Sequence, residues 1–354
     1  MNEAIITHSA DPSLANRQRP RVAVIGTGGT FAMQARHAFD WVEYSESGVV
    51  LPIDTLLADI GRLGLDIDVV PIEFRMLGST GIVPRDWLEL ARLIERTIQQ
   101  DPSLAGVVVT HGTATMEETA WFLHLAVSSH LDVPIVLTGA QRPANTAGSD
   151  AMPNLRAALC VACCEQARGL GTLVVMDGTI HPARDVSKAS SFGLDAFESE
   201  GGALGRVEAD GSVVVRRLPA TQASHSRWQP LLEHVGELPR VDIALSYAGA
   251  DGVAIDACVA AGARGIVSTG LVPGRPANGE RAALARAVAA GVVAVQSSRA
   301  RRSQVPPQAF LARDGVLAGG DMAAHKLRIL LMLALASAPE GMTPEALQHI
   351  ILQA

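Results

Sequence analysis

Apolar, β-branched runs that end in glycine and hydroxyl residues recur along the chain, and stretches of helical period separate them. Residues 22–25, 68–72, 106–110, 135–138 and 172–176 read as strands, and 84–100, 116–129 and 152–166 as intervening helices. That alternation predicts βαβ units on a mainly parallel sheet. A second series follows: strands at 241–246, 265–269 and 292–296, with helices at about 254–261 and 281–290. The tail, 322–337 and 343–352, has the spacing of amphipathic helices. The expected organisation is α/β: a flexible polar arm at 1–20, a larger N-terminal domain at 21–215, a proline-containing linker at 216–240, and a smaller C-terminal α/β domain at 241–354. Residues 31–44 show neither period. They read either as a mobile cover over the first strand's end or as a surface excursion.

Composition narrows the function classes. Hydrophobic residues make up 48% of 354 and charged ones 18%, so most of the chain can bury a core. A net charge of −7 argues against nucleic acid or an anionic membrane as partner. Cys160, Cys163, Cys164 and Cys258 form no disulfide framework or complete zinc motif and read as reduced core thiols. The first residues lack a basic-then-apolar leader, and no apolar run is long enough to span a bilayer, which predicts a cytoplasmic protein.

Candidate chemistry sits at two strand ends. Gly26-Thr27-Gly28-Gly29-Thr30 invites a dinucleotide reading, but Phe31 stands where the fingerprint needs its third glycine, so no cofactor is expected. The glycines would instead let backbone approach a small ligand and deliver Thr30 at the rim. Thr110-His111-Gly112-Thr113 repeats the pattern, and Thr115 with Glu118 reads as a capping box that starts the next helix. A threonine needs a neighbouring base to act as nucleophile, and Lys188 is the candidate. No GxSxG elbow supports a serine triad.

Together these motifs resemble the bacterial-type L-asparaginase/glutaminase amidohydrolases: GTGGT at 26–30, THGTATMEETA at 110–120, TGAQRPANTAGSDAMPNL at 138–155, RDVSK at 184–188, GIVSTG at 265–270 and SSR at 297–299. The resemblance implies metal-free amide hydrolysis through an acyl-enzyme in a homo-oligomer, commonly a tetramer built as a dimer of dimers. Carried over by motif position, Thr30 would be the nucleophile, Tyr44 its lid-borne activator, and Thr113 with Lys188 a second hydroxyl–amine pair. Ser79 would hold the substrate carboxylate, with Gly29, Thr80, Gly112, Ala114 and Ala140 beside it. Backbone N–H groups near Thr113 and Ala140 would form the oxyanion hole.

Four positions depart from that pattern. Ala114 replaces an aspartate, Thr80 a glutamine and Gly249 an asparagine, and Arg299-Ala300-Arg301-Arg302 stands where a glutamate is expected. Each change removes an acceptor from the place of a substrate ammonium, whose burial without acceptors costs on the order of several kcal/mol. The expected substrate is therefore a small carboxylate-bearing amide or related C–N compound without a free α-ammonium, such as a dicarboxylate monoamide, an N-acylated asparagine or a cyclic imide. Arg301 or Arg302 is a candidate to meet an anionic group, if the cluster is not simply a solvated loop. Two alternatives stand beside this one: an ordinary L-asparaginase of weakened affinity, and a non-catalytic binding homologue.

Overall fold

Side chains on the first strand alternate between two cores. Val22 and Val24 pack to one side, Ala23 and Ile25 to the other, and all four are fully buried. Such a strand must lie between two layers. A computed structural model, which describes residues 19–58, 60–128, 131–219, 228–300, 302, 304–338 and 341–354, shows that arrangement. The arm at 1–18 and Arg301 lie outside the described residues.

The strands are β1 (Arg21–Gly28), β2 (Asp68–Leu77), β3 (Leu104–Thr110), β4 (Ile135–Thr138), β5 (Thr172–Met176), β6 (Thr179–Pro182), β7 (Val186–Lys188), β8 (Phe197–Ser199), β9 (Gly205–Val207), β10 (Val213–Val215), β11 (Val241–Leu245), β12 (Gly265–Gly270), β13 (Val293–Ser298) and β14 (Leu317–Ala318). The large sheet has the order β10-β9-β6-β5-β4-β3-β1-β2, parallel from β5 to β2 and antiparallel from β6 outward. A smaller parallel sheet runs β11-β12-β13-β14, and β7 pairs with β8 as a separate hairpin. The expected α/β architecture with a larger and a smaller parallel sheet is thus observed. The short strands from β6 to β10 give no readable period in the sequence, being only three or four residues each.

One expectation needs correction. The helix Ala324–Ser337 is not amphipathic: nine of its residues, from Lys326 to Leu335, are buried. It lies between the two sheets, in one core with Ile25, Val109 and Leu137 of the large sheet and Val241, Val267 and Val295 of the small one. A helix enclosed on most sides needs apolar residues all round, which masks any stripe. The stretch expected as a linker also carries a short helix, Gln229–His234, and its Trp228, Leu231 and Leu232 are buried in that same core.

Order reverses between β1 and β3: β2 lies beyond β1 on one side, β4 beyond β3 on the other. In an open parallel sheet that switch point leaves a crevice at the strands' carboxyl ends. Gly26 of β1 is in register with Thr110 of β3, so the two glycine–threonine segments leave the sheet side by side.

Candidate active site

Three turns meet in the crevice. Gly29 has a φ of 73°, and a Cβ there would lie 2.4 Å from Cα of Gly112. A Cβ on Gly112 would lie 2.5 Å from Cα of Ser79. Only glycine permits this stacking of backbones. Two cross-links hold it: the Thr27 hydroxyl donates to the Thr110 carbonyl at 2.9 Å, and the Gly29 N–H to the Leu77 carbonyl at 2.7 Å. Thr115 does not cap its helix. Its hydroxyl donates instead to the Ser79 carbonyl at 3.1 Å, tying the Ser79 turn to the helix start, so the expected capping box is corrected.

Two hydroxyl pairs emerge from the turns. Thr30 Oγ1 and the Tyr44 phenol are 2.7 Å apart, and Lys188 Nζ is 2.6 Å from Thr113 Oγ1. Thr30 and Thr113 are buried, at 2% and 3% exposure, in a site largely shut off from water. Tyr44 reaches Thr30 because residues 31–44 fold back over the first rim. Asn145 clamps Ala35 with two hydrogen bonds, at 2.9 and 2.8 Å, and the Arg142 guanidinium stacks 4.1 Å above the Trp41 ring. These contacts tie the segment back beside the first rim, with Phe39 and Val42 exposed on its outer side.

Lys188 lies at the end of β7, where burial pushes its pKa below the ordinary lysine value against the opposing charges of Glu117 and Asp150. A lowered pKa raises the fraction of free amine, the form that can take a proton from Thr113. The Glu117 carboxyl is pushed up by burial. The His325 imidazole, the Ser187 hydroxyl and Lys326 outweigh this and hold it below its usual range.

A buried chain supports the Gly112–Thr113 peptide. The Trp87 indole N–H donates to Thr119 Oγ1 at 2.9 Å, and Thr119 Oγ1 lies 2.9 Å from His111 Nε2. Because indole only donates, the Thr119 hydroxyl proton is free for Nε2, which leaves His111 Nδ1–H to donate to the Gly112 carbonyl at 2.8 Å. Burial pushes the His111 pKa down to about 4, keeping the ring neutral.

Other residues were not visible as functional from the sequence. The Asp150 carboxylate accepts from the backbone N–H groups of Gln141 and Arg142 and from the Asn154 amide, fixing the turn after β4. Gln141 accepts a hydrogen bond from Lys188 Nζ at 3.3 Å, and only its place after Ala140 could have flagged it. Buried Lys326 donates to the carbonyls of Ala183, Arg184 and Val186 at 2.7–2.8 Å, gripping the segment that carries Lys188.

Of the residues expected at the site, Gly29, Thr30, Tyr44, Ser79, Gly112, Thr113 and Lys188 are joined by these contacts, and Ala140 is fully buried beside Gln141. Thr80 and Ala114 are exposed. Arg302 lies elsewhere, lining with Arg299 a cavity of about 780 Å³ between the small sheet and residues 184–187. The four cysteines are free, and no cluster of metal-ligating residues occurs among the described residues.

The chain matches two family models, "Asparaginase, N-terminal" over residues 21–220 and "Glutaminase/Asparaginase C-terminal domain" over 240–351. It is 34% identical to L-asparaginase 2 of Bacillus subtilis, over 89% of this chain and 82% of that one. It is 33% identical to a glutaminase-asparaginase of Pseudomonas fluorescens, over 89% and 86%. The crystal structure of a probable cytoplasmic L-asparaginase from Campylobacter jejuni superposes with a TM-score of 0.87 at 30% identity, covering 95% of this chain and all of that one.

Proposed function

The chain belongs to the bacterial-type asparaginase/glutaminase family, a hydrolase of C–N bonds other than peptide bonds, and we propose that it works through an acyl-threonine on a small carboxylate-bearing amide without a free α-ammonium. The observation behind the route is the pair of short contacts at the switch point, Thr30 with Tyr44 and Thr113 with Lys188. Thr30 Oγ1 bonds to the amide carbon, with Tyr44 accepting its hydrogen bond. The N–H groups of Thr113 and Ala140 receive the oxyanion. The C–N bond then breaks and nitrogen leaves as ammonia, carrying the hydroxyl proton. Water, deprotonated toward the Thr113–Lys188 pair, cleaves the ester and restores Thr30. Ser79 holds the substrate carboxylate.

The substrate reading rests on Ala114, whose methyl group offers no acceptor where an α-ammonium would need one. A second reading, L-asparagine itself, is favoured by the relatives, which are asparaginases and glutaminase-asparaginases. Ammonia release from L-Asn, D-Asn, L-Gln, succinamate, maleamate and N-acetyl-asparagine separates the two, with ring opening as the readout for succinimide and Thr30→Ala as control. Turnover confined to compounds without a free amine supports the first reading. Equal or better turnover of asparagine, improved by Ala114→Asp, overturns it. No turnover and no covalent adduct with an electrophilic amide analogue would identify a pure binder.

A homo-oligomer in the cytoplasm completes the proposal. Ile243, Leu245 and Tyr247, at 41–60% exposure, form an apolar stripe along and beyond β11 suited to a second copy. The Campylobacter likeness supports the location. Among the described residues no helix is long and apolar enough to cross a membrane.

A further inference from the structure

Gln141 has no role in the scheme above, yet it touches the proposed base. The residue is 8% exposed, and the two ends of its amide stand in different situations. Oε1 accepts from Lys188 Nζ at 3.3 Å. Nε2 is buried with no hydrogen-bond partner among the described residues. Turning the amide over would take Oε1 away from Lys188 Nζ, whose N–H groups donate to it and to Thr113, so the oxygen-inward arrangement is the one these contacts support. Lys188 therefore fixes the oxygen inward and leaves the NH2 group to other company. A buried donor without an acceptor is expensive, and it is tolerated where a ligand supplies the acceptor.

We propose that Gln141 is a specificity-determining residue whose Nε2–H group donates to a carboxylate or carbonyl oxygen of the bound substrate. The inference rests on the hydrolase reading of this site and names the polarity of what it binds. Three observations agree. Gln141 Oε1, the nearby side-chain acceptor, is already engaged by Lys188, so it does not serve a substrate ammonium. Ala114 adds no acceptor of its own. The Gln141 backbone is pinned by the Asp150 carboxylate at 3.0 and 2.9 Å, so its amide is held in place before substrate arrives. The neutral amide also orients Lys188 without adding a charge that would stabilise its ammonium form.

Succinamate and L-asparagine differ only in the α-ammonium, so the ratio of their kcat/KM values reads the polarity of the site directly. Gln141→Glu replaces the donor with an acceptor of the same shape, and Gln141→Met removes both functions at similar volume. We expect Gln141→Glu to lower the succinamate-to-asparagine ratio at least about tenfold. Gln141→Met should lower kcat/KM for succinamate by about 10–100-fold, chiefly through KM. Calorimetric binding of succinate, a dicarboxylate without an amine, gives a readout that needs no turnover, and Gln141→Met should weaken it about tenfold. A ratio within twofold of wild type in both variants, or unchanged succinate affinity in Gln141→Met, overturns the role of Gln141. Should Gln141→Glu not fold, Gln141→Met and succinate binding decide. Succinate binding that depends on Gln141 in a protein that turns over no amide would instead overturn the hydrolase reading and leave the binding role standing.

Discussion

Two parallel sheets in this chain end in polar rims, and they meet different fates. At the large sheet's rim Thr110 Oγ1 is buried without a hydrogen-bond partner among the described residues, but two other threonine hydroxyls have a partner that can move a proton: a phenol at 2.7 Å from Thr30 and an amine at 2.6 Å from Thr113. At the small sheet's rim Ser268 Oγ, Thr269 Oγ1 and Gln296 Oε1 are buried with no hydrogen-bond partner among the described residues. Both rims have the strand-end position where α/β folds bind ligands. What separates them is whether titratable side chains from outside the sheet reach the hydroxyls. Tyr44 reaches Thr30 and Lys188 reaches Thr113, whereas the titratable side chains that line the cavity beside the small rim, Asp185, Glu200, Asp321, His325 and Lys326 among them, make no hydrogen bond to Ser268 Oγ, Thr269 Oγ1 or Gln296 Oε1. The strongest way to break the comparison is to move hydroxyls and bases one at a time. Thr30→Ala and Lys188→Met should each lower kcat at least about a thousandfold, and Tyr44→Phe about a hundredfold. Thr269→Val should leave kcat within twofold. Steady-state ammonia release measures all four, and a large loss in Thr269→Val would mean that the small rim shares the chemistry.

The two regions are also joined, and Lys326 is the joint. It leaves the helix between the sheets, and its three donors serve three carbonyls of the segment leading to Lys188. Lys326→Met would leave those buried carbonyls without donors, at about 3 kcal/mol of stability. Denaturant midpoints should fall accordingly, and kcat should drop more than KM changes, because Lys188 loses its fixed position against Thr113. Unchanged midpoint and unchanged kcat would show that the small domain is only packed against the large one.

Acid should act on the large domain first. Burial pushes His111, His124 and His181 each down to about 4. The unfolded chain binds these protons below about pH 6.5 while the native state does not, so stability is lost as pH falls from 6.5 toward 4. Each histidine accounts for up to about 3 kcal/mol of that loss. His124 stacks on Trp121 with ring centroids 5.4 Å apart, and Phe at 124 keeps the stack without the titration. Urea midpoints between pH 7.5 and 4.5 should therefore fall less steeply in His124→Phe than in wild type. Parallel slopes would mean that other groups govern acid unfolding.

How much of this was legible follows from the same contrast. The strands at 135–138 and 172–176 and the helix at 84–100 have the bounds their patterns predict, because each is a regular element closed by strong stop signals. Thr30 and Thr113 stood out because they sit in dense glycine and hydroxyl motifs, and Lys188 through the resemblance of RDVSK to the family pattern. Gln141, Asp150, His111 and Lys326 could not. Their roles depend on partners 8 to more than 140 residues away in sequence, and no local spacing encodes such contacts. Lys326 was hidden further, since a lysine in an apolar helix reads as a surface position until the helix proves to be enclosed.

The finest test concerns two threonines that precede helices. Thr343 caps the helix Pro344–Gln353, its hydroxyl accepting from the Ala346 N–H at 3.3 Å. Thr115 precedes Met116–Leu123 in the same way but donates to the Ser79 carbonyl. One hydroxyl therefore serves its own helix, while the other serves a turn from a different part of the sheet. Thr343→Ala should cost about 1 kcal/mol of stability and leave KM unchanged. Thr115→Ala should cost the helix less, and should raise KM about threefold by loosening the Ser79 turn, which is proposed to hold the substrate carboxylate. Paired melting curves and KM values separate the two, and a cap-sized loss of stability with unchanged KM in Thr115→Ala would restore the helix-capping role that its sequence suggests.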